Sequence, residues 1–276
     1  MFSKALLTST YKNGKPGQRT EEHEKAEHHP FKTQFLFKNP KIPKNLYIVR
    51  LLQHFFIIQA LETQLQNMPV SDKAKLNTFF TLSYLNQLWR TPAIEKDLHQ
   101  LGANNDALNN ELKSKTTQIY LNNIESLPPK ILLAHFLLHV VGFMHGGAII
   151  QSKYINPSNR LTAYQIPANQ YDFSAATLFI SPKKQAVLEL YADMMKQVDE
   201  ITLDDREYEE VVQQCLDIYT TMTQIYEDLC ALHLSQSKRF SPSALMIGIS
   251  LGALAGVITL MSSYFTPWNN HAFSPS

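Results

Sequence analysis

Two segments of the chain carry residue types at spacings that can do chemistry. The first is His23-Glu24-Lys25-Ala26-Glu27. His23 and Glu27 stand four apart, so a helix puts them on one face within reach of each other. A carboxylate bonded to one imidazole nitrogen fixes the tautomer and leaves the other nitrogen free to bind a metal. An ordinary solvated, charged helix face has the same spacing. The second segment is the apolar run LAHFLLHVVGFMHGG, residues 133–147, with Gly142, Gly146 and Gly147 inside a helical pattern. Each glycine costs a helix roughly 1 kcal/mol relative to alanine. A helix carries that cost where a flat group approaches its backbone, where it kinks, or where a neighbour packs closely.

Other chemistries are excluded. No carboxylate stands three residues before any of the ten histidines, which removes the Glu-x-x-His pairs of a di-iron bundle. There is no His-Glu-x-x-His, no Cys-x-x-Cys and no P-loop. Twenty-five basic against 24 acidic residues give a formal net charge of +1, so nothing argues for nucleic acid as a partner. Cys215 and Cys230 lie fifteen positions apart in one helical stretch. At 1.5 Å per residue they are roughly 22 Å apart, too far for a disulfide.

The elements that must position these segments are helices. Only nine of 276 residues are glycine, against a usual share of about 7%, which disfavours sandwiches and Gly-rich phosphate-binding folds. Apolar periodicity predicts helices over 44–66, 72–89 (from an Asp72 cap), 93–101, 106–124, 130–154, 185–198 and 205–235. Thr20 is the expected cap of a Glu-rich helix holding His23. Residues 157–180 read as loop. The expected organisation is a disordered lead over 1–17 and one all-α domain over 18–235. A linker over 236–243, a membrane helix over 244–265 and a short tail over 266–276 follow.

That last helix is ALMIGISLGALAGVITLMSSYF, 22 residues without a charge. At 1.5 Å per residue it is about 33 Å long, against a hydrocarbon core of roughly 30 Å. Lys238 and Arg239 precede it, and Tyr264 and Trp268 suit the interface. The expectation is a single-pass C-terminal anchor with the helical domain on the cytosolic side, at an endoplasmic-reticulum-like membrane in a eukaryotic cell. Gly248, Gly252 and Gly256 repeat every four residues, a stripe through which two anchors can associate weakly.

Taken together, the two segments resemble the biliverdin-producing heme oxygenases. In that family an early helix carries His-x-x-Ala-Glu, matched by His23, Ala26 and Glu27, and its histidine is the axial iron ligand. The distal helix carries Ala-His and then Gly-Asp-x-Ser-Gly-Gly, matched in register by Ala134, His135, Gly142, Gly146 and Gly147. Ala60-Leu61-Glu62, the stretch from Leu88 through Arg90 to Leu98, Leu190-Tyr191 and Gln224–Leu229 extend the likeness over most of residues 15–235. The resemblance implies an all-α heme oxygenase-like bundle, heme held through His23, and oxidative cleavage to biliverdin, CO and iron with O2 and electrons from a reductase. It also implies that Gly142, Gly146 and Gly147 lie over the heme.

The sequence departs from the family on both sides of the heme. Phe143 replaces the distal carboxylate that orders proton-delivering water, and His145 replaces the nearby serine. Phenylalanine can neither accept nor donate a proton. The basic partners of the heme propionates align with Pro16 and Thr20, with Lys15 and Arg19 one residue away as substitutes. On the late helix the expected bases align with Leu188 and Ala192, near Lys183, Lys184 and Lys196. The expected activity is therefore that of a divergent heme oxygenase with an altered catalytic face at Gly142, Phe143, His145 and Gly146. The alternatives are a non-catalytic binding module on a membrane, or a heme-binding peroxidase or sensor in which His145 or His139 faces the iron.

Overall fold

A computed structural model of the protein describes residues 1–103, 112–180 and 186–239. Among these residues the architecture is helical, and the only strand-like pairing is an isolated bridge between Tyr11 and Arg19. Met1–Cys230 forms one compact unit. Residues 231–239, from the second unit, continue a helix. The apolar run 244–265 and its glycines lie outside the described residues, as do Lys183 and Lys184.

The bundle is organised around α3, Lys44–Asn67. Its apolar residues, including Leu51, Leu52, Ile57, Ile58, Leu61 and Leu65, face several directions because neighbours cover it on several sides. Those neighbours are α4 (Thr91–Gln100), α5 (Lys115–Ile124) and α6 (Pro129–Ile150). By length and composition α6 could cross a membrane, but most of it is buried inside the bundle. α7 (Ala186–Val198) lies against α6 and the first helix, and α8 (Asp205–Arg239) runs on past the compact unit.

Buried polar groups on α3 fix its neighbours. Glu62 accepts from the backbone N–H groups of Arg90 and Thr91, which satisfies the open donors at the start of α4. Gln53 accepts from Ser114 N at 2.9 Å and Thr117 Oγ1 at 2.8 Å, and so holds the start of α5. The Arg90 guanidinium donates to the carbonyls of Gln87, Leu88 and Asp172 and stacks 4.3 Å over Phe173. The Ala60–Glu62 and Leu88–Leu98 motifs are thus structural.

Three sequence expectations are corrected. Residues 1–17 are not a disordered lead, because Phe2–Thr10 is a helix, α1. Phe2, Ala5, Leu6 and Ser9 recur at helical spacing and are buried, and Ser3 bonds Asp199 through both its N–H and its hydroxyl. The helix expected over 72–89 is three short ones, Val70–Lys75, Asn77–Phe80 and Leu85–Leu88. Burial there falls on Leu76, Phe79, Leu82, Tyr84 and Leu88, which do not make one stripe. Residues 236–239, expected as linker, belong to α8. Cys215 and Cys230 are both free thiols, in agreement with their spacing.

Candidate functional site

His23 sits on α2, Glu21–Glu27. Thr20 precedes that helix, but its hydroxyl donates to Ser9 O at 2.8 Å instead of capping it. Thr20 N donates to Thr10 O at 3.1 Å, so residues 11–19 form a loop closed at its base. His23 completes the joint, with Nδ1 3.1 Å from the Thr10 carbonyl. A carbonyl only accepts, so Nδ1 carries the hydrogen and Nε2 the lone pair when the ring is neutral. Burial lowers the pKa of His23, outweighing the opposing pulls of Thr10 O and Glu27, and this favours the neutral ring.

Glu27 does not play the part its spacing suggests. Its Oε2 is 3.6 Å from Nε2, the nitrogen left for a metal, while Thr10 O fixes the tautomer. The Glu27 carboxylate is held by Arg19, whose Nε lies at 2.7 Å. Arg19 also pairs with Glu24 at 3.5 Å, so it is engaged locally and is not a free propionate partner. Lys15 is exposed in the closed loop. The ring of Tyr219, from α8, stacks on His23 with centroids 4.5 Å apart.

The three glycines of α6 divide into two kinds. A Cβ on Gly142 or Gly146 would meet no atom within 4 Å. A Cβ on Gly147 would stand 2.2 Å from the Tyr171 ring, so Gly147 is there for close packing. Tyr171 is delivered by the loop before it, whose Asn169 and Gln170 N–H groups both donate to buried Asp97 at 2.9 Å. The helix runs unbroken through all three glycines, so no backbone break moves His145 from its regular helical position.

Phe143 and His145 therefore point different ways. Phe143 is buried, 5.8 Å from the ring of His54 and 6.1 Å from that of Tyr171. His145 is half-buried against Tyr191, edge to face at 4.7 Å, and burial lowers its pKa. His135 is occupied, with Nδ1 2.7 Å from Tyr120 Oη and Nε2 3.2 Å from Gln214 Oε1. Leu188 and Lys196 are exposed on α7, while Lys183 and Lys184 lie outside the described residues.

Two routes of side chains connect α6 to His23. On one, Tyr191 lies beside His145 and within electrostatic range of Tyr11, and Tyr11 stands edge-on to His23 at 6.4 Å. On the other, Lys32 acts electrostatically on both His23 and His54, and His54 contacts Phe143. Around this second route, sequence reasoning missed Lys32, Arg50 and His54, whereas the inward-facing His139 was among its alternatives. Arg50 and His54, one turn apart on an otherwise apolar helix, were the signal available.

The sequence profile described as Heme oxygenase matches residues 17–228. No curated protein matches the chain. Among solved structures, heme oxygenase from Leptospira interrogans superposes with a TM-score of 0.61 at 20% identity, covering 82% of this chain and 98% of that one. Heme oxygenase-2 of Synechocystis, solved with heme and NO, gives 0.64 at 18% identity over 84% and 86% of the two chains. Heme oxygenase-1 of the same cyanobacterium, solved with heme, gives 0.61 at 18% over 93% and 99%. The His23 helix, the glycine face of α6 and the match over most of the chain place this protein in the heme oxygenase family.

Proposed function

We propose that the protein binds heme with His23 as the axial ligand and cleaves it oxidatively to biliverdin, CO and iron, at a rate limited by its altered distal side. The observation that carries this reading is the His23 tautomer, because Thr10 O takes the Nδ1 hydrogen and leaves Nε2 with its lone pair. Two further features fit the group. Gly142 and Gly146 leave a stretch of α6 free of side chains where a flat macrocycle can approach. Buried donors near Phe143 lack acceptors, which suits a ligand bearing carboxylates.

Heme, when bound, supplies both the iron at which O2 is activated and the porphyrin that is oxidised, with electrons from a reductase. The chain's part is to orient the ring, exclude water and deliver protons. Phe143 contributes exclusion and packing only. His145 is a half-buried titratable group two residues from Phe143 on the same helix, and the burial that lowers its pKa eases the release of a proton it has taken up. Slow turnover follows from having Phe143, which carries no proton, where the family has a carboxylate. A hemin titration followed by visible spectroscopy tests binding, and His23→Ala should remove the histidine-ligated Soret band while leaving helicity intact. An unchanged spectrum would move the ligand to His28 or His29. Biliverdin formation with a reductase then tests turnover.

A heme-binding protein that does not turn over is the second reading, and the inward orientation of Phe143 favours it. Absence of biliverdin despite a histidine-ligated complex would select it. Membrane attachment through 244–265, with weak pairing through Gly248, Gly252 and Gly256, belongs to the same proposal and rests on the sequence of that run.

A further inference from the structure

We propose that Lys32 and Arg50 form an internal carboxylate-receiving site that takes an acidic side chain of the bound porphyrin in place of Lys15 and Arg19. This rests on the heme reading for the identity of the ligand, but the site itself rests on buried charge without a counter-ion. Arg50 is 4% exposed, on α3 in the middle of the bundle. Its one hydrogen bond, Nη1 to Tyr171 Oη, is at the 3.5 Å limit, and its Nε has no partner. Lys32 is partly buried, its ammonium 5.9 Å over the Tyr226 ring. Among the described residues neither cation is paired with a carboxylate. Glu27 does attract Lys32, but Arg19 already holds that carboxylate at 2.7 Å.

The neighbours add donors and no negative charge. Both ring nitrogens of His54 and the Nε2 of His139 are buried and unpartnered. A neutral imidazole has one N–H to give and one lone pair, so each ring adds one donor that an entering anion can use. Buried polar groups are nearly always satisfied, and an unpaired buried cation is more costly than any neutral group. An anion entering here would meet a guanidinium, an ammonium and imidazole N–H groups, the donor set that recognises a carboxylate. Lys32 lies within electrostatic range of both His23 and His54, which puts its ammonium between the cluster and the proposed axial histidine.

Carboxylate recognition can be read without iron. Full-length protein in detergent is titrated with metal-free protoporphyrin IX and with its dimethyl ester, following porphyrin fluorescence. The wild type should bind the acid tighter than the ester by roughly tenfold or more, the scale of one charge-assisted hydrogen bond. Arg50→Met and Lys32→Met should each shrink that ratio toward one, and Arg50→Lys should keep part of it. The melting temperature of ligand-free Arg50→Met should hold or rise, since an unpaired buried charge has gone. His23→Ala should lose the hemin Soret band yet retain the acid-over-ester ratio, which separates failure of the axial assignment from failure of this site. Equal binding of acid and ester by wild type, no binding of either, or a destabilised Arg50→Met with an unchanged ratio would each overturn the proposal. The last result would make Arg50 a structural arginine held by the surrounding phenols.

Discussion

The glycine helix offers the sharpest test of how α6 is used, because the same substitution should have opposite effects at neighbouring positions. At Gly142 and Gly146 a methyl group meets nothing within 4 Å. Replacing a helical glycine by alanine there removes the backbone-entropy penalty, so Gly142→Ala and Gly146→Ala should each stabilise the ligand-free protein by about 0.5–1 kcal/mol. In a domain of this size 1 kcal/mol corresponds to a rise of roughly 2–4 °C in melting temperature. At Gly147 the methyl would stand 2.2, 2.8 and 2.9 Å from three atoms of the Tyr171 ring. That ring cannot step aside freely, because Asp97 pins the loop before it and Phe143 packs against it. Overpacking of this kind costs about 1–3 kcal/mol, which exceeds the propensity gain and gives a net loss. Urea denaturation of the three single mutants measures the signs. Hemin titration of Gly146→Leu supplies the functional half, since a side chain projecting from that open position should block a ligand lying over it. If Gly142→Ala and Gly146→Ala destabilise as much as Gly147→Ala, the face is closed and the reasoning fails. If Gly146→Leu binds hemin normally, the ligand lies elsewhere.

Acid should unfold the protein through its buried imidazoles. Burial depresses His54 far below its ordinary value, His135 to about 4 and His139 to about 3, so these rings are neutral when folded and protonate first in the unfolded chain. Stability is then complete above pH ~6.5 and declines as pH falls toward 4, by up to about 1.4 kcal/mol per pH unit for each ring. Urea midpoints between pH 7 and 4 measure the slope, and His139→Leu should remove about one proton from it; an unaltered slope would count against the assignment. For catalysis, we expect His145→Ala to lower biliverdin yield if that ring carries the proton. Phe143→Asp should raise the yield only if the new carboxylate reaches the open face, at the cost of burying a charge against His54; wild-type turnover that His145→Ala leaves untouched would assign the proton to water. For attachment, deletion after Ser237 should release a folded, soluble protein, checked by circular dichroism and gel filtration; an aggregated product would show that the removed run is part of the fold.

The helices and their order were legible because long apolar or amphipathic runs on α3, α6 and α8 are bounded by prolines and polar residues, and the resemblance supplied the family. What escaped reading depended on partners distant in sequence. α1 looked like a polar lead because its apolar trace is short, and its anchorage to Asp199, Tyr208 and Tyr219 has no local signature. The 72–89 stretch looked continuous because a pattern of apolar residues does not reveal that Tyr84 is drawn to Asp193 at 2.6 Å. At the site, His23 was found from its motif, but its orienting partner was taken to be a side chain one turn away. A backbone carbonyl, brought close by the closure of the 11–19 loop, has that role. Arg50 was invisible as a functional group because its helix was scored for its apolar residues.

The attachment of α1 also sets a schedule for biosynthesis. Ser3, Thr8 and Thr10 find their partners at Asp199, Tyr208 and Tyr219, separations of 196, 200 and 209 residues. During translation at about 5–20 residues per second, the segment that orients His23 must wait tens of seconds for those partners to emerge. Contacts of such long range are among the last to form, since their loop-closure entropy is met only when the intervening helices are in place. The nascent chain therefore completes α3 through α6 with the His23 side of the bundle still uncovered. His23 acquires its stacking partner Tyr219 only when α8 arrives, which makes the last long helix of the bundle the step that completes its surroundings.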